Sequence, residues 1–162
     1  MQDESTFIYD VKLRAIWAVK GSKPIMLTTG SHKRVCWFGA VAEDGTQLFR
    51  KYDNADSDAF LDYLLHLKRK YPKMVLFLDK ATYHFKELRV RRFLRKHRQQ
   101  IKVRWFPSGY PEANPVEECW RQSKDEILGS KFPESFGEFK EATTEYFRTR
   151  RFKLDMYKYL CH

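Results

Sequence analysis

The first third of the chain alternates between polar residues and β-branched or aromatic residues, a pattern that is typical of β-strands. Strand-like stretches are "STFIYD" (5–10), "LRAIWAVKG" (13–21) and "RVCWFGAVAEDGTQLFRKYD" (34–53). The Asp44-Gly45 step inside the third stretch is a hairpin signal, because both residue types accept the backbone angles of a tight turn. The pattern from residue 3 to about 53 therefore predicts an antiparallel meander.

The period of the apolar residues then changes from two to that of a helix. Apolar residues recur at helical spacing in "NADSDAFLDYLLHLKRKY" (54–71), where Asp56 or Ser57 can cap the first turn. The run "MVLFL" (74–78) is continuously apolar and ends in Asp79. Such a run is typical of a strand that is buried on both faces.

Helical and strand-like patterns alternate in the remainder of the chain. We predict a helix in "FKELRVRRFLRKHRQQ" (85–100), a strand in "IKVRWF" (101–106) and a helix that starts near Pro115. The tail from 135 to 160 reads as a long amphipathic helix with a break near Arg151. This order predicts one α/β domain, in which helices cover the faces of a mixed sheet.

The charge of the chain is strongly basic. Its 31 Lys and Arg outnumber 21 Asp and Glu, which gives a formal net charge of +10 and a pI near 9.5. The stretch from Lys86 to Arg104 alone holds nine basic residues and one acidic residue. Such a balance favours a polyanionic partner. The alternative is a solvated surface with a basic bias.

Cysteine usage and hydropathy predict a soluble protein that is not exported. Cys36, Cys119 and Cys161 are an odd number and lack the spacing of a metal site, which is typical of a reducing cellular compartment. No stretch approaches the roughly 20 apolar residues of a membrane span, and the first ten residues are acidic rather than basic. We therefore expect a cytoplasmic location and no membrane partner.

Two acidic residues lie at the ends of predicted strands, where functional side chains are common. Asp79 follows a buried strand, and the carboxyl ends of strands carry the ligand sites of open α/β sheets. A cap of the next helix is the alternative role for Asp79. Asp3 and Glu4 open the first strand in the run "DESTFI" (3–8), and Asp3 can reach the same edge if that strand is central in the sheet. Solvated acids at a chain start are the alternative there.

A third acidic position lies in "YPEANPVEECW" (110–120), where two prolines precede Glu117 and Glu118. Carboxylates in the first turn of a helix are favoured by the helix dipole whatever their role. Rigid prolines before the helix also fix the direction of the Glu117 side chain. Three carboxylates from distant segments are suited to a hard cation such as Mg²⁺, and a two-ion site of this kind cleaves phosphodiesters.

Three sequence blocks together resemble the catalytic domain of DDE-superfamily transposases, in the mariner-like branch of prokaryotic insertion-sequence enzymes. The blocks are "DEST" (3–6), "VLFLDKATYH" (75–84) and "FPSGYPEANPVEECW" (106–120). The segment "IWAVKGSKP" (16–24) is similar to a further family block. The resemblance implies an RNase H-like fold, with a five-stranded mixed sheet of an antiparallel meander followed by parallel strands and flanked by helices.

The resemblance also implies a set of functional residues. Asp3, Asp79 and Glu117 match the positions that hold two Mg²⁺ or Mn²⁺ ions, and His84 and Asn114 match supporting positions. From the sequence, His84 could approach the scissile phosphate or cap its helix. Lys80 stands where the family has Asn, so that a cation neighbours a proposed ligand. We expect Lys80 to lower metal affinity or to contact phosphate. Pro115 and Trp120 accompany the third block, and Trp120 is expected to pack in the core.

DNA is the partner that the resemblance implies, with a homodimer as the working form. The expected contacts to the DNA backbone are basic residues on the helix after Asp79, namely Lys86, Arg89, Arg91, Arg92, Arg95, Lys96 and Arg98. We see no helix-turn-helix module in residues 1–162. This is expected of an excised domain, of an element that encodes a separate helix-turn-helix subunit, or of a remnant. A catalytically impaired DNA-binding remnant and an RNase H-like nuclease without transposition remain alternative functions.

Overall fold

Strands dominate the first half of the chain and helices the second half. The computed structural model describes residues 1–10, 17–23, 25, 28–81, 84, 86–107, 113–129 and 133–160. The described elements are, in chain order, β1 (Gln2–Ile8), β2 (Arg34–Val41), β3 (Gln47–Tyr52), α1 (Ser57–Lys70), β4 (Met74–Leu78), α2 (Leu88–Lys96), β5 (Ile101–Trp105), α3 (Pro115–Gly129), α4 (Phe136–Thr149) and α5 (Tyr157–Leu160).

The predicted hairpin and meander form one three-stranded sheet. β2 is the central strand and pairs antiparallel with β1 and with β3. Gly45 has a φ of +78°, a left-handed angle that glycine adopts without strain, and the Asp44 side chain accepts a hydrogen bond from the Thr46 N–H. The hairpin prediction at Asp44-Gly45 is therefore confirmed.

The sheet differs in part from the single five-stranded sheet that the resemblance implies. β4 and β5 form a separate parallel pair with Met74 opposite Ile101 and Leu78 opposite Trp105. β1 contacts β4, but the described strands form hydrogen-bonded ladders only within the group of three and within the group of two. Local patterns predict that strands exist, whereas pairing between segments that are distant in sequence depends on tertiary packing.

The strand predicted for residues 13–21 is wrong where the structure describes it, from Trp17 to Gly21. Residues 17–21 form no strand, and the side chains of Trp17 and Val19 are almost fully exposed. Residues 13–16 lie outside the described part. Aromatic and β-branched residues favour a strand only where neighbouring strands bury them, and the described part of this segment has no such cover.

The helix predictions are confirmed, with small shifts of their ends. The side chain of Asp56 caps α1 by accepting hydrogen bonds from the N–H groups of Asp58 and Ala59, both at 3.0 Å. The tail helix breaks as expected, because α4 ends at Thr149 and a short helix resumes at Tyr157. None of the described helices has the length and apolar character that a membrane crossing requires.

Side chains of the three-stranded sheet pack into two hydrophobic cores, one on each face. Odd-numbered residues of β1 and β2, such as Phe7 and Trp37, lie in the first core with α3 and α4. Even-numbered residues such as Phe38 lie in the second core with α1 and β4. Because side chains of a strand alternate between faces, the adjacent residues Asp3 and Glu4 project to opposite sides of the sheet.

Candidate active site

Asp3 is a buried carboxylate on the face of the sheet that α3 covers. Its side chain is 8% exposed, and Oδ2 accepts a hydrogen bond of 3.0 Å from the indole Nε1 of Trp120. Gly39 pairs with Asp3 across the sheet and makes room for this contact, since a Cβ there would lie 2.7 Å from the Trp120 ring. Trp120 therefore packs in the core, as expected, and also orients the Asp3 carboxylate.

The electrostatic surroundings of Asp3 are unfavourable for its charge. Burial, followed by the negative charges of Glu117 and Glu4, raises the pKa of Asp3 to about 8. An ionised carboxylate in such a place is destabilised unless a cation accompanies it. Asp3 and Glu117 thus form an acidic pair at which a divalent cation would be stabilising.

Glu117 owes its position to the start of α3. Asn114 is buried, its side-chain Oδ1 accepts from the Val116 N–H at 3.2 Å, and its carbonyl accepts from the Glu117 N–H at 3.1 Å. Pro115 is the first residue of α3, where its fixed φ and missing N–H cost nothing. The supporting role predicted for Asn114 is consistent with this cap. Pro111 lies outside the described residues.

Glu118 has different partners from its neighbour Glu117. It forms an ion pair of 2.6 Å with Arg121 and accepts a hydrogen bond of 2.7 Å from Gln122. The hydrogen bond with Arg121, aided by Gln122, lowers the pKa of Glu118 to about 2. Glu118 is therefore paired with side chains of its own helix, whereas Glu117 is exposed and its charge acts on Asp3.

Asp79 lies directly after β4. His84 links it to Glu4, which projects from the face of the sheet opposite to Asp3. The Asp79 carboxylate is 2.8 Å from Nδ1 of His84, and Nε2 of His84 is 2.9 Å from Oε1 of Glu4. His84 is fully buried, while the Asp79 side chain is half-exposed. Asp79 also accepts a hydrogen bond from the Ala81 N–H at 3.0 Å. Asp79 is thus fixed in position but remains open to solvent.

Glu4, Asp79 and His84 form the one described trio of potential metal ligands whose ligand atoms all lie within 4.8 Å of one another. Both nitrogens of His84 face carboxylate oxygens, and carboxylates only accept hydrogen bonds. With both carboxylates ionised, both nitrogens are placed to donate, so the imidazole of His84 is doubly protonated in this arrangement. Burial opposes a charged imidazole, but the hydrogen bonds to Asp79 and Glu4 prevail and raise the pKa of His84 to about 9. The trio is a charged hydrogen-bond bridge.

The structure thus places the predicted ligands Asp3 and Glu117 close enough for the charge of Glu117 to raise the pKa of Asp3. It places Asp79 at the end of β4, the strand that contacts β1, but does not gather Asp3, Asp79 and Glu117 into one group within 4.8 Å. Lys80 is exposed beside Asp79. The donors of the predicted set are carboxylate oxygens, which are the ligands that Mg²⁺ and Mn²⁺ prefer.

Glu4 is the residue of this region that the sequence analysis missed. Its carboxylate is nearly buried, accepts a hydrogen bond of 2.8 Å from Gln2 Nε2 and contacts His84. The signal was available in part, because strand alternation separates Glu4 from Asp3 and requires a partner for a buried acid on the second face. Sequence alone did not identify His84 as that partner, since 80 positions separate the two residues.

The predicted DNA-binding residues lie on and around α2, and all of them are exposed. They are Lys86, Arg89, Arg91, Arg92, Arg95, Lys96 and Arg98. The guanidinium of Arg89 forms an ion pair of 2.7 Å with Asp58 of α1. The surface formed by these seven residues, here termed the basic surface, is separated from Asp3 by the sheet.

Family membership follows from a comparison over most of the chain. The sequence profile of the DDE superfamily endonuclease family matches residues 1–140 of the 162 residues. The chain belongs to this family. The match confirms the resemblance to DDE-superfamily enzymes that its three blocks indicated. No curated protein matches this DDE endonuclease chain at a significant level.

Solved structures of Mos1 transposase share the fold of this DDE endonuclease chain. The Mos1 paired-end complex with left transposon end matches with a TM-score of 0.68 and 16% identity, over 98% of this chain and 49% of that chain. The Mos1 mariner paired-end complex with Mn gives 0.67 and 17% over 98% and 49%, and the Mos1 strand transfer complex gives 0.68 and 17% over 98% and 48%. The chain therefore spans about half the length of the Mos1 chains.

Proposed function

We propose that this chain is the catalytic domain of a transposase that cleaves DNA at transposon ends and joins the freed ends to target DNA. The acidic pair of Asp3 and Glu117 carries the proposal. Burial and neighbouring acids raise the pKa of Asp3 to about 8, so its ionised carboxylate destabilises the folded protein. Such a cost is characteristic of functional sites, where a bound cation offsets it.

We further propose that Asp3, Asp79 and Glu117 hold two divalent ions, Mg²⁺ or Mn²⁺. Such ions supply an activated water or hydroxyl and stabilise the leaving oxygen in phosphodiester chemistry. Trp120 orients Asp3 through its indole N–H, Asn114 and Pro115 fix the start of the helix that carries Glu117, and His84 holds Asp79. Hydrolysis breaks one P–O bond and leaves a 3′-hydroxyl and a 5′-phosphate. In strand joining, the 3′-hydroxyl replaces the water and attacks a phosphate of the target, whose bond to the 3′-oxygen of the target strand breaks and leaves a new 3′-hydroxyl.

The basic surface is proposed to hold the DNA backbone. Its guanidinium and ammonium groups would neutralise phosphates, which gives affinity without choice of sequence and makes binding weaken with salt. The exposed Lys80 beside Asp79 is a further candidate for a phosphate contact. The Mos1 transposase paired-end complex contains the left transposon end, which supports DNA as the partner here.

The remaining parts of a transposition machine are proposed to come from outside these residues. Because the chain covers about half of each Mos1 chain, recognition of transposon ends would be supplied by another segment or by a separate helix-turn-helix subunit. A homodimer would hold two ends at once, and the nucleoid of a prokaryotic cytoplasm is the proposed setting. The five strands are proposed to act as one sheet through the contact of β1 with β4.

A nicking assay on supercoiled plasmid tests the proposed activity. We expect the wild-type protein to convert supercoiled plasmid to the open circle with Mn²⁺ or Mg²⁺, and to leave it intact in EDTA. We also expect Asp79→Asn to lose this activity, because an amide removes the charge that holds the ions. Binding to plasmid without metal-dependent nicking would instead favour a catalytically impaired DNA-binding remnant, for which Lys80 beside Asp79 is the structural indication.

A further inference from the structure

A cleft of about 360 Å³ lies between α2 and β5. Helix α2 contributes Arg91, Leu94 and Arg95, and β5 contributes Ile101, Val103 and Trp105. The buried His84 also lines the cleft. The cleft therefore combines two guanidinium groups, an apolar floor and one indole ring.

The sequence explains why these side chains meet. Residues 101, 103 and 105 alternate along β5 and so project to one face. The exposed fraction of the residues rises along this row, from the buried Ile101 to Trp105, which is 40% exposed. Arg91 and Arg95 are four positions apart and so share one face of α2, one turn from each other. The cleft is therefore closed at the start of β5 and open at its carboxyl end.

The open end of the cleft lies beside Asp79 of the proposed active site. Trp105 pairs with Leu78 in the parallel β4–β5 ladder, and Asp79 is the next residue after Leu78. The ladder extends one step further, because the Phe106 N–H donates to the Leu78 carbonyl at 2.8 Å. His84, which lines the cleft, is also the residue that holds Asp79. A DNA strand whose scissile phosphate lies at Asp79 would pass the mouth of this cleft.

We propose that the cleft binds one unpaired nucleotide of the DNA strand that lies next to the scissile phosphate. The base would stack on Trp105 over the floor of Leu94 and Val103, and Arg91 and Arg95 would hold the flanking phosphate. This assignment rests on the proposed function, since the strand is the substrate of that reaction. Aromatic stacking with basic groups along the backbone is the general way in which proteins bind unpaired strands.

The composition of the cleft distinguishes it from the rest of the basic surface. Arg92 and Arg98 are exposed on the same segment but do not line the cleft, and they suit contacts to phosphates of a duplex. A surface that only neutralises phosphates requires neither an apolar floor nor a partly exposed tryptophan. The described lining also holds no carboxylate, which would repel a nucleotide.

The test is a binding assay in EDTA, so that cleavage plays no part. Fluorescence anisotropy would follow a labelled 12-nucleotide single strand and a labelled duplex with an unpaired 3′ overhang, each with the wild-type protein. We expect Trp105→Ala to weaken binding of both DNAs about tenfold, the order of one lost stacking contact. Trp105→Phe should restore most of the affinity. Arg92→Ala is the matched control, and it should weaken blunt duplex and overhang DNA by the same factor.

A second arm identifies the base as the bound group. A series of overhangs with one abasic position each should contain one position that weakens wild-type binding about tenfold. The same abasic position should leave Trp105→Ala binding unchanged. Equal effects of Trp105→Ala and Arg92→Ala on every DNA, or an abasic series without a sensitive position in the wild-type protein, would overturn the proposal. The abasic series with the wild-type protein decides the matter even if Trp105→Ala fails to fold.

These results separate the cleft from the proposed activity. Binding in EDTA with one sensitive base supports the cleft even if the protein does not nick plasmid, in which case the catalytic proposal alone fails. If the protein nicks DNA with metal but Trp105→Ala leaves its affinity for overhang DNA unchanged, the proposal for the cleft fails and the catalytic proposal stands.

Discussion

Glu117→Gln is expected to lower metal-dependent nicking of supercoiled DNA more than about a hundredfold, since loss even of groups that only support metal ligands costs tenfold to a hundredfold. Glu117 is exposed at the start of α3, and its charge acts on the buried Asp3. Its amide analogue keeps the size of the side chain and removes the charge. The measurement is the initial rate of open-circle formation with Mn²⁺.

Glu118→Gln is the matched control for this prediction. Glu118 carries the same side chain one residue further along α3, about 100° around the helix axis, and is paired with Arg121. Loss of this pair, whose Arg121 side chain is exposed, should cost about 1 kcal/mol of stability or less, and nicking should stay within about threefold of wild type, since we assign Glu118 no catalytic role. If Glu117→Gln nicks as fast as Glu118→Gln, Glu117 is not a catalytic ligand.

His84→Ala is expected to lower the free energy of unfolding by about 3–5 kcal/mol, the range for a buried ion pair that loses one partner. The substitution leaves the nearly buried Glu4 without its cationic partner and frees Asp79 from its 2.8 Å contact. It also removes a ring that packs against Phe60. Urea unfolding, followed by circular dichroism, measures the change.

His66→Ala supplies the control for a histidine in an exposed pair. His66 lies 3.5 Å from Asp62 one helical turn away, at the surface of α1, and its loss should cost less than about 1 kcal/mol. A double-mutant cycle with Glu4→Gln isolates the coupling, because Glu4→Gln in the His84→Ala background should cost much less than in the wild type. Additive effects of the two substitutions would show that Glu4 and His84 do not stabilise each other.

Local patterns predicted the elements of the fold well. The Asp44-Gly45 hairpin, the Asp56 cap and the break after Thr149 each depend on residues that are close in sequence. Pairing of distant strands has no such local signal, and β4 and β5 form a ladder apart from the other three. The strand expected around Trp17 failed for the same reason, because its propensity lacked a neighbour to cover it.

The candidate site likewise has features that the sequence indicates and features that depend on tertiary packing. The proposed roles of Asp3, Asp79 and Glu117 follow from residue types, from their places in the three blocks and from the family resemblance. The bridge of His84 between Asp79 and Glu4 could not, since it depends on which face of β1 each acid occupies and on what packs there. Trp120 was expected in the core, yet its indole N–H also binds Asp3.

Isothermal titration calorimetry of Mn²⁺ binding tests our proposal that Asp3, and not the Glu4 bridge, holds the divalent ions. Asp3→Asn retains an oxygen that can accept from the Trp120 indole and removes a buried charge, so we expect a folded protein. We expect the wild type to bind Mn²⁺, Asp3→Asn to bind it more than about tenfold more weakly, and folded Glu4→Gln to bind it nearly as the wild type does. Wild-type affinity in Asp3→Asn together with lost binding in folded Glu4→Gln would contradict the proposed site and assign the metal to Glu4, Asp79 and His84.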